Sequence, residues 1–150
     1  MIHSWKNGMG ESDTFYHITP VQIRFNDIDI LGHVNNAVHQ YYFDVARLQY
    51  FKHIFGKAVD WNKEVVVLAN ITIDYIEPIR LEDKIEVHTR VHRIGNKSIG
   101  MSQQIIDSIS GSVKSTSHSV LVAYDRETKT TVPVPEAWKK RVAYYENVKI

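Results

Sequence analysis

Apolar and polar positions change period several times along this chain. Val21, Ile23 and Phe25 alternate with Gln22 and Arg24, the period-two pattern of a half-buried strand. Beyond a polar loop, Val38, Tyr41, Val45, Leu48, Phe51 and Phe55 recur at steps of three and four, which is the period of a helix. Asn35 and Asn36 are N-cap candidates and Gly56 is a C′ candidate, so the pattern predicts a helix of about twenty residues, roughly 30 Å long. Ala37, Tyr42, Phe43, Ala46, Tyr50 and Ile54 fill much of its remaining surface. A helix apolar nearly all round is a buried one, so other elements must wrap it.

The second half of the chain supplies the wrapping. Val65 to Ile76 reads as a long strand in which Ile71, Ile73 and Tyr75 share a face, and Glu77-Pro78 ends it. Lys84 to Ile94 alternates cleanly, with Ile85, Val87, Thr89 and Val91 on one face and Glu86, His88, Arg90 and His92 on the other. Gly95-Asn96 makes a hairpin turn, Lys97 to Ile106 returns, Ser108 to Ser112 forms a loop, and Ser115 to Tyr124 is the last long strand. Asp125 to Thr130 reads as a turn. Val132-Pro133-Val134-Pro135 is too proline-rich for a central strand, but Pro135 can open a short helix through Glu136, Trp138, Arg141 and Tyr145. This order predicts an α+β domain, an antiparallel five-stranded sheet wrapped around one long central helix. Residues 1 to 16 are expected to form a loose arm and residues 17 to 150 a single domain.

Composition narrows the function classes. An apolar fraction of 43% excludes a disordered chain, and a formal charge of +1 gives no overall basic field for nucleic acid. Zero cysteines remove disulfides, thiolate metal sites and a cysteine nucleophile together. The N-terminal stretch lacks the apolar core of a signal peptide, and the longest apolar run, Val65 to Ala69, is too short to span a membrane. The expectation is a soluble, cytoplasmic protein with neither a nucleic-acid nor a membrane partner. His88 and His92 on one strand would stand about 13 Å apart, too far to share an ion, so no metal site is expected.

Candidate chemistry sits where the loop meets the long helix. A helix N-terminus offers unpaired amides and the positive end of the macrodipole, which suits an oxygen gaining negative charge. Asp29, a few residues upstream, can face the same space as nucleophile or as base for water. The same Asp-x-Asp spacing also serves turns and caps.

The string from Arg24 to Arg47, RFNDIDILGHVNNAVHQYYFDVAR, resembles the signature of the hotdog-fold acyl-CoA thioesterases of the 4-hydroxybenzoyl-CoA thioesterase type, in which R-F-x-D-x-D-x-x-G-H-V-N-N leads into the central helix. The resemblance implies hydrolysis of an acyl-CoA thioester, with Asp29 as the catalytic carboxylate and the Asn36 amide polarising the carbonyl. His33 is carried over as a third catalytic-site residue and Asn35 as a substrate-binding one. His39 stands where relatives often have tyrosine, and Glu82-Asp83 where they often have Gly-Asp. With Tyr41 and Tyr42, His39 is a candidate to line an acyl or aryl pocket, although aromatic residues at helical spacing also serve as core. Arg93, Lys97 and Ser98 flank a hairpin that in the family lies near the pantetheine and nucleotide, often across a subunit boundary. No cofactor is implied, coenzyme A being part of the substrate, and the partner implied is a second copy in a homodimer or homotetramer. A non-catalytic module that binds acyl thioesters is the alternative. A dehydratase using His39 and Asp44 fits the string poorly.

Overall fold

The computed structural model describes residues 14–58 and 60–149. Most of the expected arm, residues 1 to 13, lies outside the described residues. In chain order the elements are β1 (His17–Pro20), a 3-10 turn (Phe25–Asp27), α1 (Asn36–Phe55), a second 3-10 turn (Gly56–Ala58), β2 (Glu64–Tyr75), β3 (Ile85–Ile94), β4 (Ser98–Asp107), β5 (Val113–Asp125), β6 (Thr130–Thr131) and α2 (Glu136–Glu146). The strands form one antiparallel sheet in the order β1-β3-β4-β5-β2, with the two-residue β6 added beside β5. Among the described residues no helix is long and apolar enough to cross a membrane.

The first strand sits earlier than its alternation suggests. Pairing with β3 covers His17 to Pro20, Val21 makes one more bond to the Ile85 carbonyl, and the chain then turns. Phe25, expected on a buried strand face, instead opens the 3-10 turn and is 81% exposed. A carboxylate three residues after Arg24 caps that turn and outweighs the alternation. β6 has no counterpart in the sequence pattern, because two residues carry no period.

α1 begins and ends where its caps predict. The Asn35 side chain accepts from the Ala37 amide at 2.9 Å, which makes Asn35 the N-cap and Asn36 the first helical residue. Gly56 closes the helix at φ +51°, a conformation that costs glycine little. The buried face differs from the one inferred from Val38, Tyr41, Val45, Leu48, Phe51 and Phe55. His39, Tyr42, Phe43, Ala46, Tyr50 and Ile54 are buried with Phe51 and Phe55, whereas Tyr41, Val45 and Leu48 remain exposed. The sheet covers only one side of the helix within a chain, so a helix apolar all round is left half uncovered.

Two apolar clusters lie along α1. Near its start, Val34, Tyr42, Phe43 and Ala46 pack with Ile79, Ile85, Val87 and Ile105. Toward its end, Tyr50, Phe51, Ile54 and Phe55 pack with Val91, Ile99, Met101 and Leu121 and with α2 through Trp138 and Val142. Phe51, Phe55 and Trp138 stack at centroid separations of 5.2 and 4.9 Å, a geometry that adds to the area they bury.

One carboxylate is buried in the second cluster. Glu146, at the end of α2, receives the Tyr50 hydroxyl at 2.5 Å and the Val91 amide at 2.9 Å on the same oxygen, Oε1. Burial raises its pKa, and the two donors only partly oppose that. A native pKa above the unfolded one means that this group's contribution is complete below about pH 4.5, its ordinary value, and is lost as pH rises through the native value. Glu146→Gln keeps an acceptor oxygen for both donors without a charge. It is expected to remove that loss and leave the protein at least as stable at pH 7 in urea denaturation. Glu146→Ala orphans both donors and is expected to cost on the order of 2 kcal/mol or more.

Candidate active site

The loop between β1 and α1 is a closed hairpin rather than an open connection. An isolated bridge pairs Ile28 with Val34, the Asn35 amide donates to the Asp27 carbonyl at 2.8 Å, and the Asp29 amide donates to the His33 carbonyl at 2.9 Å. Gly32 turns the tip at φ +79°, and its amide bonds the Asp29 carbonyl at 3.0 Å. The Val34 amide reaches across to the Ile79 carbonyl at 2.8 Å, fixing the hairpin to the segment before β3. Asp29 therefore sits at the first corner of a short rigid turn, and the residue that closes the hairpin, Asn35, caps α1.

Its neighbour Asp27 holds that turn to the helix. The Asp27 side chain is 2% exposed and accepts the Tyr42 hydroxyl at 2.6 Å, the Arg24 amide at 2.9 Å, and Arg24 Nη2 and Nε at 3.0 and 3.2 Å. Burial by itself would raise its pKa, but the Tyr42 hydroxyl and the Arg24 amide and guanidinium together bring it below the usual value. Burial and the Asp27 carboxylate drive the Tyr42 hydroxyl far up, so it remains a donor. Tyr42, a candidate for the substrate pocket, thus commits its hydroxyl to Asp27 inside the core. The signal for Asp27 is present in sequence as the three-residue spacing from Arg24, but its partner Tyr42, fifteen residues on, has none.

Asp29 itself is half-buried; one of its carboxylate oxygens accepts the Leu31 amide at 2.9 Å, and its chain neighbours Ile30 and Leu31 are exposed, as is Phe25. The first-turn amides of α1 follow Asn35. That of Ala37 is capped by the Asn35 side chain, while Asn36 is the residue whose amide opens the helix. Deeper in, His39 is 2% exposed, its Nδ1 lies 2.9 Å from Ser115 Oγ, and its ring meets Tyr75 edge to face at 5.0 Å. Burial lowers the His39 pKa to about 4, so the imidazole is neutral at pH 7. Tyr75 donates to the Asn36 carbonyl at 3.0 Å, tying β2 to the first turn of α1. Nothing in the spacing of Tyr75 or Ser115 marks either of them.

Asp29, His33, Asn35, Asn36 and His39 are thus brought to one end of the molecule. Arg93, Lys97 and Ser98 are not. Their hairpin adjoins Ile94 and Ile99, which pack against the C-terminal part of α1 from Tyr50 to Phe55, so about 20–30 Å of helix separates it from Asn36 within one chain. On the outer face of the sheet, His92 and His118 both approach Ser102 Oγ, at 2.9 and 3.1 Å, a pairing across strands that linear spacing does not reveal. Among the described residues no group of three or more His, Cys, Asp or Glu is placed to hold a metal ion.

Comparison with known proteins decides the family. Residues 23–142 match the model of the thioesterase-like superfamily. The chain belongs to that superfamily. Its structure superposes on a thioesterase from Thermus thermophilus, solved with coenzyme A and zinc, with a TM-score of 0.78 and 32% identity, over 89% of this chain and 96% of that one. The acyl-CoA thioester hydrolase YbgC of Escherichia coli is 26% identical over 90 residues, 59% of this chain and 67% of its own. YsmA of Bacillus subtilis is 24% identical over 120 residues, 79% of this chain and 80% of its own. This thioesterase-like chain is a thioester hydrolase with the hotdog fold, its α1 held in the curved sheet.

The ties to Asp27 yield a stability test. Because its native pKa is depressed, its contribution is complete above about pH 3.8, the ordinary value, and is lost as pH falls through the native value. Asp27→Asn is expected to flatten the acid limb of the stability curve between about pH 4 and 2. Tyr42→Phe, which strips one donor from a buried carboxylate, is expected to cost about 1–3 kcal/mol at pH 7 in the same denaturation series.

Proposed function

We propose that this protein hydrolyses an acyl-CoA thioester to a free carboxylic acid and coenzyme A, with Asp29 as the catalytic carboxylate and the Asn36 amide as the donor to the thioester carbonyl. The observation that carries this reading is the closed hairpin from Asp27 to Asn35, which makes Asp29 and the first turn of α1 parts of one hydrogen-bonded unit. When the carbonyl carbon is attacked, its oxygen gains a negative charge beside the positive end of a 20-residue helix. Asp29 either attacks directly, giving a mixed anhydride that water then cleaves, or takes a proton from water as the water attacks. Coenzyme A leaves as its thiolate in both cases. The coenzyme A bound to the Thermus relative and the substrate class in the name of the E. coli one support the choice of carrier.

A second copy completes the site in this reading. β2 is a 12-residue strand at the edge of the sheet, and an edge of that length leaves a row of backbone donors and acceptors for another chain. Pairing two copies would also let Arg93, Lys97 and Ser98 of one serve the helix N-terminus of the other.

Release of free thiol from a panel of short, medium, long and aromatic acyl-CoAs tests the chemistry. Wild type is expected to turn over at least one, and Asp29→Asn to lower kcat/KM a hundredfold or more, on the order of 3 kcal/mol of transition-state stabilisation. A wild type inactive on every thioester, or an Asp29→Asn variant with full activity, refutes the assignment. Mixing Asp29→Asn with an Arg93→Ala, Lys97→Ala double variant is expected to restore partial activity if the site is shared between copies; two additive inactivities would exclude sharing.

A further inference from the structure

Among the described residues, four buried side-chain atoms have no hydrogen-bond partner: Arg47 Nε, Gln103 Oε1, Ser117 Oγ and Ser119 Oγ. They come from three different elements, yet the register brings them to one place. Ser115, Ser117 and Ser119 alternate on the inner face of β5, and all three are buried. Gln103 stands directly opposite Ser117 in the β4–β5 ladder, and its amide nitrogen donates to the Phe43 carbonyl of α1 at 3.0 Å. Arg47 lies one helical turn beyond Phe43, level with the next inward residue of β5, Ser119. The helix and strand run the same way, since His39 meets Ser115 at one end and Phe55 clusters with Leu121 at the other. The unpartnered atoms therefore form a polar strip between the two apolar clusters, and it starts at His39, beside the proposed site.

Such a strip is costly unless something fills it. An orphaned buried donor or acceptor has given up its hydrogen bonds to water without replacement, and buried polar groups in native proteins are nearly all satisfied. Ser115, Ser117 and Ser119 are each smaller than Leu121, the next inward residue, which belongs to the apolar cluster. From Ser115 to Ser119 is about 13 Å by strand rise. Arg47 already pairs with Asp44 through Nη2, so its charge is matched and its free Nε–H calls for a neutral acceptor. Gln103 Oε1 calls for a donor. A hydroxyl supplies both.

We propose that this strip between α1 and β5 receives the acyl part of the substrate, and that Arg47, Gln103, Ser117 and Ser119 select an acyl group bearing a neutral hydrogen-bonding oxygen over a plain hydrocarbon of the same length. The proposal rests on the thioesterase reading for the identity of the acyl group, while the polar strip itself does not. A site built to pair a substrate hydroxyl rejects the analogue without it, because its own polar groups are then buried unpaired.

Matched pairs of acyl-CoAs, identical except for a hydroxyl along the chain, are compared by kcat/KM, and the corresponding non-hydrolysable thioethers are compared by calorimetry. Wild type is expected to prefer the hydroxylated member of at least one pair by about tenfold or more in both measurements. Ser117→Ala with Ser119→Ala is expected to reduce that ratio toward one, because kcat/KM for the hydroxylated member falls further than for the plain one, a selective loss that general misfolding would not produce. Gln103→Leu supplies a second variant should the serine pair fail to fold. A wild type that favours the plain member of every pair, or a ratio untouched by folded variants, means that water fills the strip and overturns the proposal. Thioether discrimination without turnover of any thioester would instead overturn the thioesterase reading and leave the strip's selectivity standing.

Discussion

The buried carboxylate of Asp27 is the constraint on which the candidate site depends. A carboxylate taken out of water is tolerated only when its lone pairs are filled, and here the Tyr42 hydroxyl, the Arg24 amide and the Arg24 guanidinium fill them. Those partners belong to the loop on one side and to the second turn of α1 on the other. Satisfying one charge therefore fixes where the chain leaves the loop and where the helix starts. Asp29, two residues on, inherits that geometry without being part of the core. The first aspartate of the pair holds the frame and the second remains available, although in sequence the two look alike.

How much of this is legible in the sequence follows from the range of the interactions. α1 and its caps are readable because capping is local: Asn35 meets Ala37 two residues away, and Gly56 needs only its own backbone. β3, β4 and β5 are readable because their inner faces are buried with period two. The first strand departs from its pattern because Arg24 and Asp27 form a local cap that competes with the alternation of Val21, Ile23 and Phe25. The buried face of α1 is ambiguous because apolar residues cover both sides of the helix and the sheet covers one. Of the candidate site, Asp29 and Asn36 are marked in the sequence by a dense local motif. Tyr75 and Ser115 are not, since each reaches α1 from a strand far along the chain.

The concave face of the sheet carries two opposed demands. Apolar residues at both ends hold α1 in place, and Thr89, Gln103 and the serines of β5 cross the middle. Gln103 partly reconciles them, since it donates to the Phe43 carbonyl and to Thr89 and so braces the helix where apolar packing is interrupted. A fold optimised for stability alone would place an aliphatic residue there. That it does not is the kind of local inconsistency expected where a ligand, rather than the core, sets the choice of residue.

The same reasoning bears on the uncovered surfaces. Tyr41, Val45 and Leu48 form an apolar row on the outer side of α1, Phe25, Ile30 and Leu31 stand exposed on the loop that carries Asp29, and β2 ends the sheet with an open edge. Scattered exposed apolar residues are ordinary, but here they border the element that carries the proposed chemistry. The basic hairpin that would suit the phosphates of coenzyme A lies at the far end of the helix, out of reach of the same chain's Asp29. Under the proposed mechanism a single copy thus holds the two halves of a thioesterase site at opposite ends, and the arrangement becomes a working one only when a second copy brings the far end of its own helix alongside.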